Sequence, residues 1–421
     1  MNILYTISIW VFQGLIHLTS WFNPKAKAWV LGRKGWRKTL QDRVVQARKP
    51  GQPLVWVHCA SLGEFEQGRP LIEAMKSQNP GIFVLLTFFS PSGYEVRKNY
   101  PHANAVAYLP ADTSRNVRDF LRLVQPNLAV FVKYEFWYRF LEGLRNQTIP
   151  TILISARLRP GHLFFQRYGG WFKTRLQAFS HIFAQDASAP QLLARTGVPF
   201  TVAGDTRVDR VGDIARRPGS VPELDDFCAG HPVLIAGSSW PPDEKRLGEL
   251  FRHPVFSGWK LLIAPHDIRD SRLAEIEQVF PGASVRFTRY QTGEDSHQQV
   301  LIINTMGMLA SLYRYGDIAY IGGAFGSGLH NTLEPIAFGL PVLFGPKYEK
   351  FAEAQALIQS GGARSICSRE ELIEAFAGWT DEQKRSCASA AASAYVQENQ
   401  GATKRILDWV QTQFPHIVAP S

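Results

Sequence analysis

Residues Ile318 to Pro346 read IAYIGGAFGSGLHNTLEPIAFGLPVLFGP, and the punctuation of that stretch decides the fold. An apolar run (Ile318 to Ile321) enters a loop holding Gly322, Gly323, Gly326 and Gly328. His330-Asn331-Thr332-Leu333-Glu334-Pro335 follows, then Gly339, then a second apolar run from Val342 to Phe344. The pattern is strand, glycine loop, short helix, strand. Glycines let the backbone approach a ligand closely, and free N–H groups at a helix start favour an anion, so a phosphate is the expected guest of Gly326 and Gly328. Glu334, in the first helical turn, suits the helix dipole and can accept hydrogen bonds from ribose hydroxyls. The glycines alone fit a packing turn of an α/β fold equally well. His330, Asn331 and Glu334 at the helix entrance shift the reading to a nucleotide site.

The same alternation runs outward in both directions. Strands are expected at Leu54 to Cys59, Phe83 to Phe88, Val106 to Leu109, Leu128 to Val132, Thr151 to Ile154, His181 to Ala184 and Phe200 to Ala203. After a break they resume at Val233 to Ala236, Lys260 to Ala264 and Val300 to Ile303. Amphipathic stretches such as Arg115 to Val124 lie between them, which is the pattern of βα units and parallel sheets. The break, 211–231, carries Arg216-Arg217-Pro218-Gly219, Pro222 and the acidic patch Glu223 to Asp226, and reads as an interdomain linker. Two Rossmann-like parallel-sheet domains result, 25–210 and 232–400, with a final helix and tail over 401–421. The carboxyl ends of their strands are expected to border a central cleft, where α/β folds bind ligands.

A chain of 421 residues exceeds one ordinary core, and 45% hydrophobic content excludes a largely disordered one. The formal charge of +10 is spread without Lys/Arg blocks, which points to an anionic membrane surface and a phosphorylated substrate, with no nucleic acid expected. Four scattered cysteines (Cys59, Cys228, Cys367, Cys387) form no CxxC pair, so no metal site or disulfide framework is indicated, and they read as small core residues. Residues 1–24 lack charged side chains, but Asn2, Thr6, Ser8, Gln13, His17 and Ser20 dilute their apolar character. They are expected to form a hydrophobic helix that is either a membrane anchor or an interfacial helix. Lys25, Lys27, Arg33, Lys34, Arg37 and Lys38 follow it rather than precede it, which argues against a cleaved signal and keeps the remainder on the cytosolic side.

The strand-to-loop junctions are where chemistry is sought. In the first domain Ser61-Leu62-Gly63-Glu64 follows the first strand, and Glu64 fits either a general base or a helix-start carboxylate. Ser90-Pro91-Ser92 follows the second strand and Lys133-Tyr134-Glu135 the fourth. Arg157 follows the fifth and fits either an anion ligand or a solvated charge. In the second domain Gly237-Ser238-Ser239 offers hydroxyl and backbone donors, and Pro265-His266 ends the next strand.

HCASLGEFEQ, GSSWPPDE, IAPHD and GGAFGSGLHNTLEPIAFGLPVLFGP together resemble the bacterial 3-deoxy-D-manno-octulosonic acid (Kdo) transferases of lipopolysaccharide synthesis, over nearly the whole chain. The resemblance implies a GT-B enzyme that moves Kdo from CMP-Kdo to a lipid A precursor, inverting the anomeric carbon without a metal ion or other cofactor. It implies work at the cytosolic face of the inner membrane. It also implies that Glu64 is the base, that Asn331 and Glu334 bind the nucleotide, and that Ser238, Ser239 and His266 surround the phosphate. Ser61, Gly63, Ser92, Glu135, Arg157 and Arg207 are the expected acceptor or carboxylate contacts. The sequence departs from the family pattern at Lys133, Tyr138, Ser155 and Pro265-His266. Two rival classes are a different nucleotide-sugar enzyme of this architecture, either a UDP-sugar transferase or an epimerase, and a non-catalytic membrane scaffold.

Overall fold

The computed structural model describes residues 2–186, 190–216, 219–326 and 328–418. They divide into two units, Met1–Asp209 with Gly401–Ser421, and Arg210–Gln400.

In the first unit seven parallel strands, β1 (Leu54–Cys59), β2 (Phe83–Phe88), β3 (Ala105–Tyr108), β4 (Leu128–Val132), β5 (Thr151–Ala156), β6 (His181–Ala184) and β7 (Phe200–Val202), lie in the order β3-β2-β1-β4-β5-β6-β7. Helices cover both faces, so the inner strands are apolar throughout rather than alternating. Leu54 and Trp56 of β1 pack into one cluster with Phe120 and Phe140, while Val55 and Val57 pack into the other with Ile72 and Met75. Each such side chain, fully buried, stabilises the unit by about 1.5–3 kcal/mol. The helix Ala402–Gln413 joins this unit: Asp209 accepts hydrogen bonds from the N–H groups of Gly401 and Thr403, and Ile406 and Val410 enter the cluster that holds Ile72.

The second unit repeats the plan with β8 (Val233–Ser239), β9 (Lys260–Pro265), β10 (Ser284–Arg286), β11 (Val300–Ile302), β12 (Ile318–Ile321), β13 (Val342–Phe344) and β14 (Ala363–Ser365), in the order β10-β11-β9-β8-β12-β13-β14. The edge strands β10 and β14 have no counterpart in the sequence reading. They are three residues long and only partly buried, which leaves no apolar run to read. Residues 211–231, expected as a linker, include the end of the helix Thr206–Arg216 and the helix Pro222–Cys228, whose Leu224 and Phe227 are buried.

The chain order reverses at β1/β4 in the first sheet and at β8/β12 in the second, where β11 is also inserted between β9 and β10. Ligands of open α/β sheets bind beyond the carboxyl ends of the strands at such points. Both sheets also slip register at a serine in the left-handed region. Ser155 (φ 51°) lies within the irregular β5/β6 pairing, and Ser238 (φ 53°) lies within the β8/β9 pairing. Lys133 (φ 70°), just past β4, is also left-handed, without a register slip. Non-glycine residues held there cost about 1–3 kcal/mol each and concentrate at functional sites.

Residues Asn2–Thr19 form the helix α1, followed by α2 (Pro24–Arg33), which Asn23 caps through its side chain. The membrane-anchor reading needs correction: among the described residues no helix is long and apolar enough to cross a membrane. Asn2, Thr6, Ser8, Gln13 and His17 account for this. The cysteine reading is corrected too, since only Cys59 is buried while Cys367 and Cys387 are exposed.

Candidate active site

In the first unit the chain leaves β1 at Cys59, turns through Ser61 in extended conformation, and enters the helix α3 (Leu62–Gln78). Glu64 lies in the first turn of α3, where the dipole favours its charge. Phe65 beside it is fully buried, whereas Glu64 stays half-buried and reachable, with its Oε2 accepting the Ser61 hydroxyl. Gly68 lets α3 lie close on the sheet, because a Cβ there would stand 3.1 Å from Val132 and 3.3 Å from the Cys59 sulfur. Gly63 has no such role: a Cβ would meet only the Ser61 Oγ, at 3.8 Å.

Glu135, just past β4, is the second carboxylate at the β1/β4 switch point. Its Oε2 accepts the Trp137 indole N–H at 2.6 Å and lies 3.3 Å from His58 Nε2. His58 is fully buried. Its Nδ1 lies 2.9 Å from Thr87 Oγ1, which also accepts the Trp56 indole N–H at 2.8 Å. Trp137 donates to His58 Nε2 as well, at 3.0 Å. These partners fit the tautomer with the proton on Nδ1, so the Trp137 indole N–H is shared between His58 Nε2 and Glu135 and fixes both. Burial pushes the Lys133 ammonium pKa down, the Glu64 charge opposes that, and Arg207, Asp205 and Arg157 act at shorter weight, so these groups share one electrostatic neighbourhood.

The remaining predicted residues of this unit differ in how free they are. Ser92 is exposed and its hydroxyl lies 2.8 Å from that of Ser90. Arg157 lies 3.7 Å from Asp186, an ion pair in which both side chains are about 30% exposed. Arg207 is already engaged by Asp205, whose two oxygens take its Nε at 3.1 and 3.0 Å, and Gln185 donates to the same carboxylate at 2.7 Å.

In the second unit β8 ends at Ser238-Ser239 and leads through Trp240 into the helix α4 (Pro241–Phe251). Asp243, a residue the sequence offered only as part of a motif, ties this turn to the glycine loop. Its buried carboxylate accepts the N–H of Trp240 at 2.9 Å, the N–H of Gly323 at 3.0 Å and the hydroxyl of Tyr320 at 2.9 Å. Burial raises its pKa, and the three donors hold it back. Gly322 and Gly323 are glycines for steric reasons: a Cβ on the first would stand 2.4 Å from the Ser238 carbonyl oxygen, and one on the second 2.5 Å from that of Gly328, at φ 93°.

Two expectations for the phosphate change. The N–H groups of Gly326 and Gly328 both close on the Gly323 carbonyl, at 2.9 and 3.0 Å, so these glycines shape the loop instead of offering donors. Ser239 is buried with its hydroxyl on Glu244, which pairs with Arg272. Ser238 is half-buried at the strand end. The helix Leu333–Ala337 is short, and Asn331 caps it by accepting the Leu333 N–H at 3.1 Å while donating to Glu334 at 3.0 Å.

Trp240 and His330 complete the site. The Trp240 ring stacks on His266, with centroids 4.4 Å apart and planes at 21°, and its indole N–H donates to His330 Nε2 at 3.0 Å. Burial, then the nearby His266 charge, lower the His330 pKa, so this ring favours the neutral form. Two buried hydroxyls here, Tyr313 and Thr332, have no hydrogen-bond partner. Among the described residues no cluster of His, Cys, Asp or Glu side chains is arranged to hold a metal ion.

Residues 34–210 match the family model described as 3-deoxy-D-manno-octulosonic-acid transferase (kdotransferase). A 3-deoxy-D-manno-octulosonic acid transferase of Bordetella pertussis is 28% identical over 437 residues, covering 96% of this chain and 97% of the relative. The transferase of Haemophilus influenzae is 27% identical over 371 residues, covering 84% and 86%. Over most of its length the chain is similar to Kdo transferases. Its enzymatic class is accordingly glycosyl transfer, and the half-buried Glu64 lies in the stretch matched by the Kdo transferase model. The UDP-GlcNAc 2-epimerase of Neisseria meningitidis, solved bound to UDP-GlcNAc, resembles this chain at a TM-score of 0.59 and 14% identity, covering 86% of this chain and all of the other. That likeness concerns the fold.

Proposed function

We propose that this protein moves Kdo from CMP-Kdo to a hydroxyl of a lipid A precursor, on a GT-B architecture, with inversion at the anomeric carbon and no metal ion. Glu64 takes the proton of the acceptor hydroxyl as its oxygen attacks. The new C–O bond forms on one face, and the bond to the CMP phosphate breaks on the other, its electron pair leaving with CMP. A nucleoside monophosphate leaves readily, so one base suffices and no paired acid is needed. The observation that carries this reading is the position of Glu64, half-buried at the strand-order switch of the first sheet and oriented by Ser61.

Asn331 and Glu334 are assigned to the ribose, and Ser238 and His266, beside Trp240 and His330, to the phosphate. Glu135, held by the Trp137 indole N–H, and Arg157 are assigned to the acceptor or the Kdo carboxylate. Helix α1 supports work at the cytosolic face of the inner membrane, as an interfacial helix. Tyr5, Ile9, Gln13 and Ile16 form its half-buried stripe, while Ile3, Leu4, Ile7, Trp10, Val11, Leu15 and Leu18 are exposed. The more apolar face thus points outward, the reverse of a core-facing helix, as an interfacial helix requires.

Incubation with CMP-Kdo and a tetra-acylated lipid A precursor, followed by mass spectrometry of the lipid, tests the reading. Lipid gaining the mass of Kdo, unaffected by EDTA, is the expected result; unmodified lipid would refute it. A thermal shift with CMP and none with UDP separates it from a UDP-sugar enzyme.

A further inference from the structure

A cavity of about 340 Å³ lies between α1, α2 and the loop after β3, lined among others by Gln13, His17, Trp29, Arg33, Lys34 and Asn116. No carboxylate lines it. Acids on the adjoining elements are engaged elsewhere: Asp119 pairs with Arg37, Asp112 accepts the Tyr5 hydroxyl and two backbone N–H groups, and Glu95 accepts the Tyr108 hydroxyl.

Arg33 is a buried cation that forms no ion pair among the described residues. It is 9% exposed, and its guanidinium lies 3.8 Å from the Trp29 ring centroid, with the Tyr108 and Phe89 rings at 4.9 and 5.0 Å. Its three hydrogen bonds go to the carbonyl oxygens of Leu109, Trp29 and Phe89, which leaves two of its five N–H donors over. Burial pushes its pKa down to about 9, the direction that a bound anion would reverse. The Trp29 indole N–H is buried without an acceptor, an arrangement that costs roughly 1–3 kcal/mol unless a ligand or water supplies one. Lys34 is exposed at the rim and forms no ion pair among the described residues. Gly32 lets α2 pack this closely, since a Cβ there would stand 2.1 Å from the Tyr108 ring.

A tryptophan N–H and two cations with no acid opposite select a compact oxyanion. The same N-terminal segment that lines the cavity through Gln13 and His17 carries outward apolar side chains, with Trp21 and Phe22 79% and 85% exposed, a surface suited to acyl chains. We propose that this cavity binds the phosphate of a membrane-lipid headgroup, held by Lys34, Arg33 and the Trp29 indole N–H. The inference rests on the interfacial reading of α1 and gives that surface a specific anchor point.

The test uses dihexanoyl phosphatidylglycerol below its micelle concentration, added to the full-length protein with ¹⁵N-labelled tryptophan. The Trp29 indole resonance, assigned with Trp29→Phe, is expected to shift saturably. Affinity is expected to fall about fivefold or more in Lys34→Ala, and to be unchanged in Lys25→Ala, which removes the same charge outside the cavity. Dihexanoyl phosphatidylcholine and inorganic phosphate are expected to bind weakly. Inorganic phosphate binding as tightly as the lipid would overturn the lipid assignment, and a Trp29 resonance that does not move would overturn the site. Flotation of the wild-type protein with phosphatidylglycerol vesicles reports on α1 separately. Flotation without the Trp29 shift refutes the cavity alone, whereas the shift without flotation supports the cavity and refutes the interfacial helix.

Discussion

Asp243→Ala removes the acceptor that joins the start of α4 to the glycine loop. The carboxylate is 1% exposed and receives three donors, two of them backbone N–H groups that cannot turn to other partners. Hydrogen bonds to a charged group contribute about 1.5–3 kcal/mol each, partly offset by the burial that raises the Asp243 pKa. Truncation leaves all three donors unpaired in the interior, so a loss of roughly 3–5 kcal/mol is expected. For a unit of this size 1 kcal/mol corresponds to about 2–4 °C, which gives a fall of roughly 10 °C. The assay is differential scanning calorimetry with and without CMP, because ligand stabilisation marks the transition that belongs to the second unit. Asp243→Asn keeps one acceptor and points an amide N–H at a donor, so it should fall between wild type and the alanine variant, with CMP affinity declining in the same order. An alanine variant that melts within about 3 °C of wild type would refute the idea that this carboxylate holds the loop.

Burial lifts the Asp112 pKa from 3.8 to about 6, so the folded state keeps a proton that the unfolded state has released. The resulting stability is fully present below pH 3.8, is lost as pH rises through 6, and amounts to about 3 kcal/mol. Denaturant titrations from pH 4 to 7 should therefore show the wild-type advantage over Asp112→Asn shrinking with pH, and a constant difference would contradict this. Gly323→Ala, strained by its φ and by the Gly328 oxygen, should lower stability by about 2 kcal/mol or more and impair CMP binding, while Gly63→Ala should stay within roughly 0.5 kcal/mol of wild type. Glu334→Ala should weaken CMP affinity about tenfold by isothermal titration calorimetry; unchanged affinity would remove its ribose contact.

The inner strands were readable because burial on both faces forces continuous apolar runs, as in LVWVHC and FVLLTF. The edge strands β10 and β14, half-wet and three residues long, carry no such mark. The positions of Glu64 and Glu135 were legible because each lies in the connection just beyond a strand's carboxyl end. The hydrogen bonds around Glu135 were not, since His58 and Trp137 meet across 79 positions of sequence and Thr87 arrives from a third strand. The glycine loop was located from composition, yet composition cannot tell whether N–H groups point to a ligand or close a turn. Here Gly326 and Gly328 close on Gly323. The SSWPPDE motif contained Trp240 and Asp243, but their roles depend on His330 and Gly323, some 80 to 90 positions downstream. The apolar N-terminal segment hid its geometry in the same way, because only the structure shows which face of α1 is turned outward.

Single-turnover transfer by Glu64→Gln, with CMP-Kdo and the lipid A precursor as substrates, bears most directly on the central claim. The substitution keeps the size of the side chain and removes its capacity to take a proton. The expected result is a fall of about 10²–10⁴-fold in the transfer rate, with CMP affinity within roughly twofold of wild type. Transfer at a rate close to wild type would show that the proton leaves the acceptor by another route.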